Sequence, residues 1–69
     1  MELHSLFLAK LIGANLVGAN LVEADLVGAN LWMTQLAQAN LWRAKMAGVD
    51  LREAYLVGAR LTGVDLTGA

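Results

Sequence analysis

Sixty-nine residues carry five Lys/Arg against six Asp/Glu, with no cysteine and no proline; 58% of the chain is apolar and 16% charged. That size holds one small domain, and near-neutral charge gives no electrostatic footprint for nucleic acid or an anionic membrane. The lack of cysteine removes disulfide frameworks, thiol nucleophiles and Cys-based zinc sites, and the apolar content excludes a disordered chain.

The N-terminal segment, MELHSLFLAKLIGANL, has no basic start before its apolar stretch, and Glu2 has the wrong sign for a secretory signal. Leu3 and Leu8 fall outside the frame that follows, so residues 1–8 read as a partial N-terminal lid on a single domain spanning 1–69. A period of five then takes over. Leu stands at every fifth position from Leu6 to Leu66, with Met46 filling the one gap. Taking that position as i, Ala dominates i−2, with His4, Thr34, Val49 and Val64 as exceptions. Asn or Asp occupies i−1 at 15, 20, 25, 30, 40, 50 and 65, and all seven glycines fall at i+2. The longest uncharged run, Leu26 to Trp42, includes Asn30, Thr34, Gln35, Gln38 and Asn40. Those polar groups are costly in hydrocarbon, so no membrane span is expected.

A five-residue step advances an α-helix by about 140°, which scatters the leucines around its cylinder. On a flat strand an odd step sends them to alternate faces. A chain that turns once per five residues, always in one sense, directs every Leu to a shared interior, and its coils stack as a solenoid. The glycines then serve as turn residues with permissive φ. Asn15, Asn20, Asn30 and Asn40 are expected to bond local backbone at the corners. Residues one coil apart lie ~4.8 Å from each other and face the same way. At an offset of twenty, Glu23 meets Arg43, Asp25 meets Lys45 and Lys45 meets Asp65, all opposite in sign. At fifteen, Lys10 meets Asp25 favourably, but Lys45 meets Arg60 and Asp50 meets Asp65, both repulsive. Four units per coil are therefore favoured, and Trp32 is then expected to pair with Arg52 as a cation–π contact.

The units ANLVG, ANLVE, ADLVG and ANLWR resemble the pentapeptide-repeat family, whose pattern is A(D/N)LXX, in a frame covering residues 4–69. The resemblance implies an all-β fold, a right-handed quadrilateral parallel β-helix, with i and i−2 inward and i−1, i+1 and i+2 outward. It independently implies four pentapeptides per coil, hence about three coils here. It further implies a mostly non-catalytic protein; the best-understood members bind DNA gyrase as acidic dimers that look like duplex DNA.

The expected core is Leu11, Leu16, Leu21, Leu26, Leu31, Leu36, Leu41, Met46, Leu51, Leu56 and Leu61. Outward positions hold Phe7, Leu8, Ile12, Val22, Val27, Trp32, Met33 and Trp42, which together form a candidate interaction patch around the N-terminal half. Large apolar patches mark contacts, and Trp is a favoured anchor. The outer coils also expose strand edges. The C-terminal LTGVDLTGA stops in mid-pattern, so end-on self-association, or an origin within a longer chain, is expected.

Catalytic chemistry is not expected. Asp25 and Asp65 share a column but Lys45 lies between them, which makes a charge ladder and not an acid/base pair. His4 has no metal-ligand partners at suitable spacing, and Ser5 beside it points the other way. No GxxxxGK[ST] loop is present. No cofactor or metal site is expected. The chain reads as a non-catalytic, cytoplasmic structural or protein-interaction module with no direct nucleic-acid or membrane contact. It is expected to form a homo-oligomer through its coil ends or its apolar flank. The alternative is a DNA mimic regulating an enzyme such as gyrase, although Lys10, Arg43, Lys45, Arg52 and Arg60 interrupt the acidic stripe this needs.

Overall fold

The corner is the unit from which this molecule is built. In the computed structural model, which describes residues 5–69, the Ala9 amide donates to the Leu6 carbonyl at 2.9 Å, and the same closure recurs every five residues. At each corner the i+2 residue alone takes positive φ: +68 to +71° at the seven glycines, and +56 to +60° at Leu8, Glu23, Met33, Gln38, Arg43 and Glu53. This is the type II pattern, whose third residue favours Gly because an L side chain costs ~1–2 kcal/mol in the left-handed region.

The Asn and Asp residues set the approach to each corner. Their Oδ1 accepts the amide two residues ahead, as in Asn15 to Val17 at 3.1 Å and Asp65 to Thr67 at 3.0 Å. Asn20, Asp25, Asn30, Asn40 and Asp50 make the same contact. The expectation for the four asparagines is met, and the aspartates join them. Away from the ends, every amide of such a unit then has a partner. The i−2 amide closes the corner, the i+1 amide bonds the Asx side chain, and the other three reach the coils above and below.

Stacking follows from those remaining amides. Parallel bridges join Ser5 with Asp25, Lys10 with Asn30, Asn15 with Gln35, Asn20 with Asn40, and so on to Lys45 with Asp65, always twenty residues apart. They form four columns, one for each wall of the coil. Each bridge involves a single residue pair, so no extended strand runs along a wall among the described residues. The corners consume the intervening positions. The extents of 23 × 22 × 17 Å match a short stack of nearly equal sides.

The interior is aliphatic. Leu16, Leu21, Leu26, Leu31, Leu36, Leu41 and Met46 are buried, flanked by Ala19, Ala24, Ala29, Ala39, Ala44 and Val49 from the i−2 positions. Among the described residues Thr34 is the one buried polar residue in this layer, and its hydroxyl donates to the Leu11 carbonyl at 2.7 Å. Leu11, Leu51 and Leu56 are only partly buried. Leu61 departs from the expected core: it is 39% exposed, because no coil lies above it.

The charge ladder also needs correction. The backbones of Asp25, Lys45 and Asp65 are bridged in one column, yet the ion pair seen among the described residues is Arg52 with Asp50, within a single unit. Asp25 and Asp65 turn an oxygen to the amides of Val27 and Thr67, which directs each carboxylate along its own chain.

Candidate interaction surfaces

Outward i+1 side chains leave the corner where the chain bends away, so large residues there have little to pack against. Phe7, Leu8, Ile12, Trp32, Met33 and Trp42 are exposed, while Val22 and Val27 are half-buried. Phe7, Leu8 and Val27 share the wall of Leu6 and Leu26. Ile12, Trp32 and Met33 occupy the next, and Val22 and Trp42 lie on the wall to the other side. Leu8 leans over Gly28, with its Cδ2 only 2.7 Å from where a Cβ would stand on that glycine.

The two tryptophans are held differently. The Trp32 indole Nε1 donates to Glu53 Oε2 at 3.0 Å, one coil above. The Trp42 ring lies beneath the guanidinium of its neighbour Arg43, 5.2 Å from the ring centre. The expected Trp32–Arg52 pairing is replaced. Arg52 instead grips Asp50 through Nε to Oδ1 at 3.0 Å and Nη2 to Oδ2 at 2.8 Å, a planar fork that a single cation over a ring does not match. Those Arg52 bonds hold the Asp50 carboxyl below the ordinary carboxylate range. The Thr67 hydroxyl and amide do the same for Asp65.

The apolar surface extends further than the patch read from sequence. Val17, Tyr55 and Val57 are exposed on the remaining wall, that of Leu16, Leu36 and Leu56, with Val57 at 76%. Val17 and Val57 occupy the same i+1 position as the tryptophans, which was the available signal. Tyr55 stands at i−1, where polar residues predominate.

Leu61 and Leu66 are exposed in the last coil, whereas in the first coil Leu16 and Leu21 are buried and Leu6 and Leu11 half-buried. His4 and the first half of the 1–8 lid lie outside the described residues. Among the described residues there is no pocket and no cluster of three or more His, Asp or Glu that could hold a metal. No helix among them is long and apolar enough to cross a membrane.

Eight copies of the pentapeptide-repeat model match this sequence, over residues 5–43 and 34–69. Solved structures similar to it include a pentapeptide repeat protein from the cyanobacterium Cyanothece 51142, at a TM-score of 0.83 and 38% identity. That match covers 94% of this chain but 42% of the other, so the present chain spans less than half the length of that relative. Among curated protein sequences none gives a significant match.

Proposed function

This chain belongs to the pentapeptide-repeat family, whose fold is a right-handed quadrilateral β-helix and whose members are generally non-catalytic, and from that premise we propose a self-associating interaction module. In this reading the chain forms about three coils of four pentapeptides, works in the cytoplasm, and uses its surface for contact and not for chemistry. The observation that carries it is the set of exposed apolar side chains on the walls, with Phe7 56%, Ile12 53%, Trp32 38% and Trp42 38% exposed. Fully burying such a side chain is worth ~1.5–3 kcal/mol, and a covering partner recovers part of that.

Sedimentation equilibrium across a wide concentration range tests the proposal. Mass that rises with concentration supports it, and a monomer at every concentration refutes it. The DNA-mimic reading predicts inhibition in a gyrase supercoiling assay. The interaction-module reading predicts none, because five cations break the acidic surface of a chain with net charge −1.

A further inference from the structure

One wall of the stack is set apart by charge. Its units are residues 14–18, 34–38 and 54–58, bridged through Asn15, Gln35 and Tyr55, and none of these residues is charged. Each of the other three walls holds ions of both signs, such as Lys45 with Asp25, Lys10 with Asp50, and Arg43 with Glu23. Exposure belongs to the wall itself: Gln35 and Gln38 lie in its middle coil, with coils above and below, and are exposed all the same.

Outward side chains on this wall form two vertical rows. The i−1 row is Asn15, Gln35 and Tyr55, each with a polar group to offer; the i+1 row is apolar, with Val17, Ala37 and Val57. Asn15 Oδ1 takes the Val17 amide at 3.1 Å, which leaves its Nδ2 to donate elsewhere. The Gln35 carboxamide and the Tyr55 hydroxyl have no hydrogen-bond partner among the described residues. The apolar row is also symmetric about its middle, since valines of equal size flank Ala37, just as Gly18 and Gly58 flank Gln38 at the corner.

Resting on the self-association proposed above, we infer that two copies of this chain pair side by side through the uncharged wall, with their coil axes antiparallel. The two-fold axis lies along the wall at the level of the middle coil, so each row meets its own counterpart inverted. Val17 packs on Val57 of the second copy, Asn15 Nδ2 donates to the Tyr55 hydroxyl, and the two Gln35 carboxamides pair across the axis. Every contact off the axis occurs twice, as an isologous interface requires. A parallel pair crosses the rows instead. It sets Asn15 against Val17 and Gln35 against Ala37, burying amides against hydrocarbon. Pairing through a tryptophan-bearing wall takes ions out of water as well, whereas interface cores are depleted in charge and enriched in tyrosine. Extents of 23 × 22 × 17 Å bound such a flank, which places the contact at the small, transient end of interface sizes.

Sedimentation equilibrium of the full chain, up to about 1 mM, provides the test. Wild type is expected to rise from monomer and level at dimer, because a two-fold contact closes. Val17→Lys/Val57→Lys sets ammonium against ammonium twice and is expected to associate at least about tenfold more weakly. Val17→Lys/Val57→Glu replaces the same exposed valines but sets ammonium against carboxylate. It is expected to associate at least about tenfold more tightly than the doubly basic variant. Within one copy the two positions lie two coils apart with Ala37 between them, so the difference reports contact between copies. Gln35→Lys exchanges one exposed polar residue for another and meets itself on the axis. It is expected to weaken pairing too, and it stands in should the valine variants melt early. Equal association of the doubly basic and mixed variants, or growth past the dimer, overturns the antiparallel pairing. Association untouched by all these variants but lost in Trp32→Ser/Trp42→Ser overturns it while leaving the self-associating module standing. A monomer at every concentration refutes both.

Discussion

Gly18 and Gln38 sit one above the other on the same wall at the left-handed corner position, with φ of +69° and +60°. A Cβ added at Gly18 meets nothing within 4 Å, so Gly18→Ala isolates the backbone term. The left-handed region costs an L residue ~1–2 kcal/mol, and Ala recovers ~0.4–1 kcal/mol by restricting the unfolded chain. The net expectation is a loss of ~0.5–1.5 kcal/mol, with Gln38→Gly gaining a similar amount. At about 2.1 cal/mol/K per residue of unfolding entropy, each kcal/mol moves Tm by roughly 5–8 °C in a chain of this size. Gly58→Ala is expected to cost more than Gly18→Ala, because its Cβ would lie 3.2 Å from Gln38 Cγ. In the Gln38→Gly background that excess disappears, a coupling that a double-mutant cycle reads directly. Thermal and urea melts at one fixed protein concentration provide the measurement, since association itself adds concentration-dependent stability. D-Ala placed at position 18 by synthesis takes positive φ without penalty and is expected to stabilise. If L-Ala proves harmless there and D-Ala harmful, the corner geometry is wrong.

Further expectations follow from the core and the carboxylates. Leu31→Ala, buried in a middle coil, is expected to cost ~2–5 kcal/mol by urea denaturation, whereas Leu61→Ala at the open end costs under ~1.5 kcal/mol. Equal losses at the two positions would mean that Leu61 is covered. Thr34→Val is expected to stay within ~1 kcal/mol of wild type. The Leu11 carbonyl keeps its bond from the Ala14 amide at 2.9 Å, so removing the hydroxyl orphans no acceptor. Asp50 and Asp65 have folded pKa values below their ordinary range, so the unfolded chain binds more protons and stability rises with pH. That contribution is full above about pH 4 and is lost as pH falls through the lowered folded values. Melts of Asp50→Asn/Asp65→Asn are expected to show a shallower acid decline than wild type; an unchanged slope would exclude these two carboxylates as its source.

The period of five and the charges at an offset of twenty were enough to place the leucines inside and to bring Asp25, Lys45 and Asp65 into one column. The Asx contacts were legible for the same reason: a short side chain two bonds from the backbone has few places to go. Side-chain pairing was less legible. Arg52 is long enough to reach either Trp32 or Asp50, and a forked pair within its own unit prevails over a ring one coil away. The strained corners were half visible, since glycine announces positive φ at Gly18 but Gln38 and Glu23 give no such sign. Leu61 was misplaced because periodicity assigns every Leu the same surroundings, while burial depends on whether another coil lies above.

Closure on the twentieth residue makes length in this molecule a ratchet. Excising one residue turns the interior of every later unit outward. Excising five keeps the leucines inside but carries each later side chain one wall around, so every vertical neighbour changes. Only the loss of twenty lifts out a whole storey and lets the floors on either side close over the gap in their former alignment.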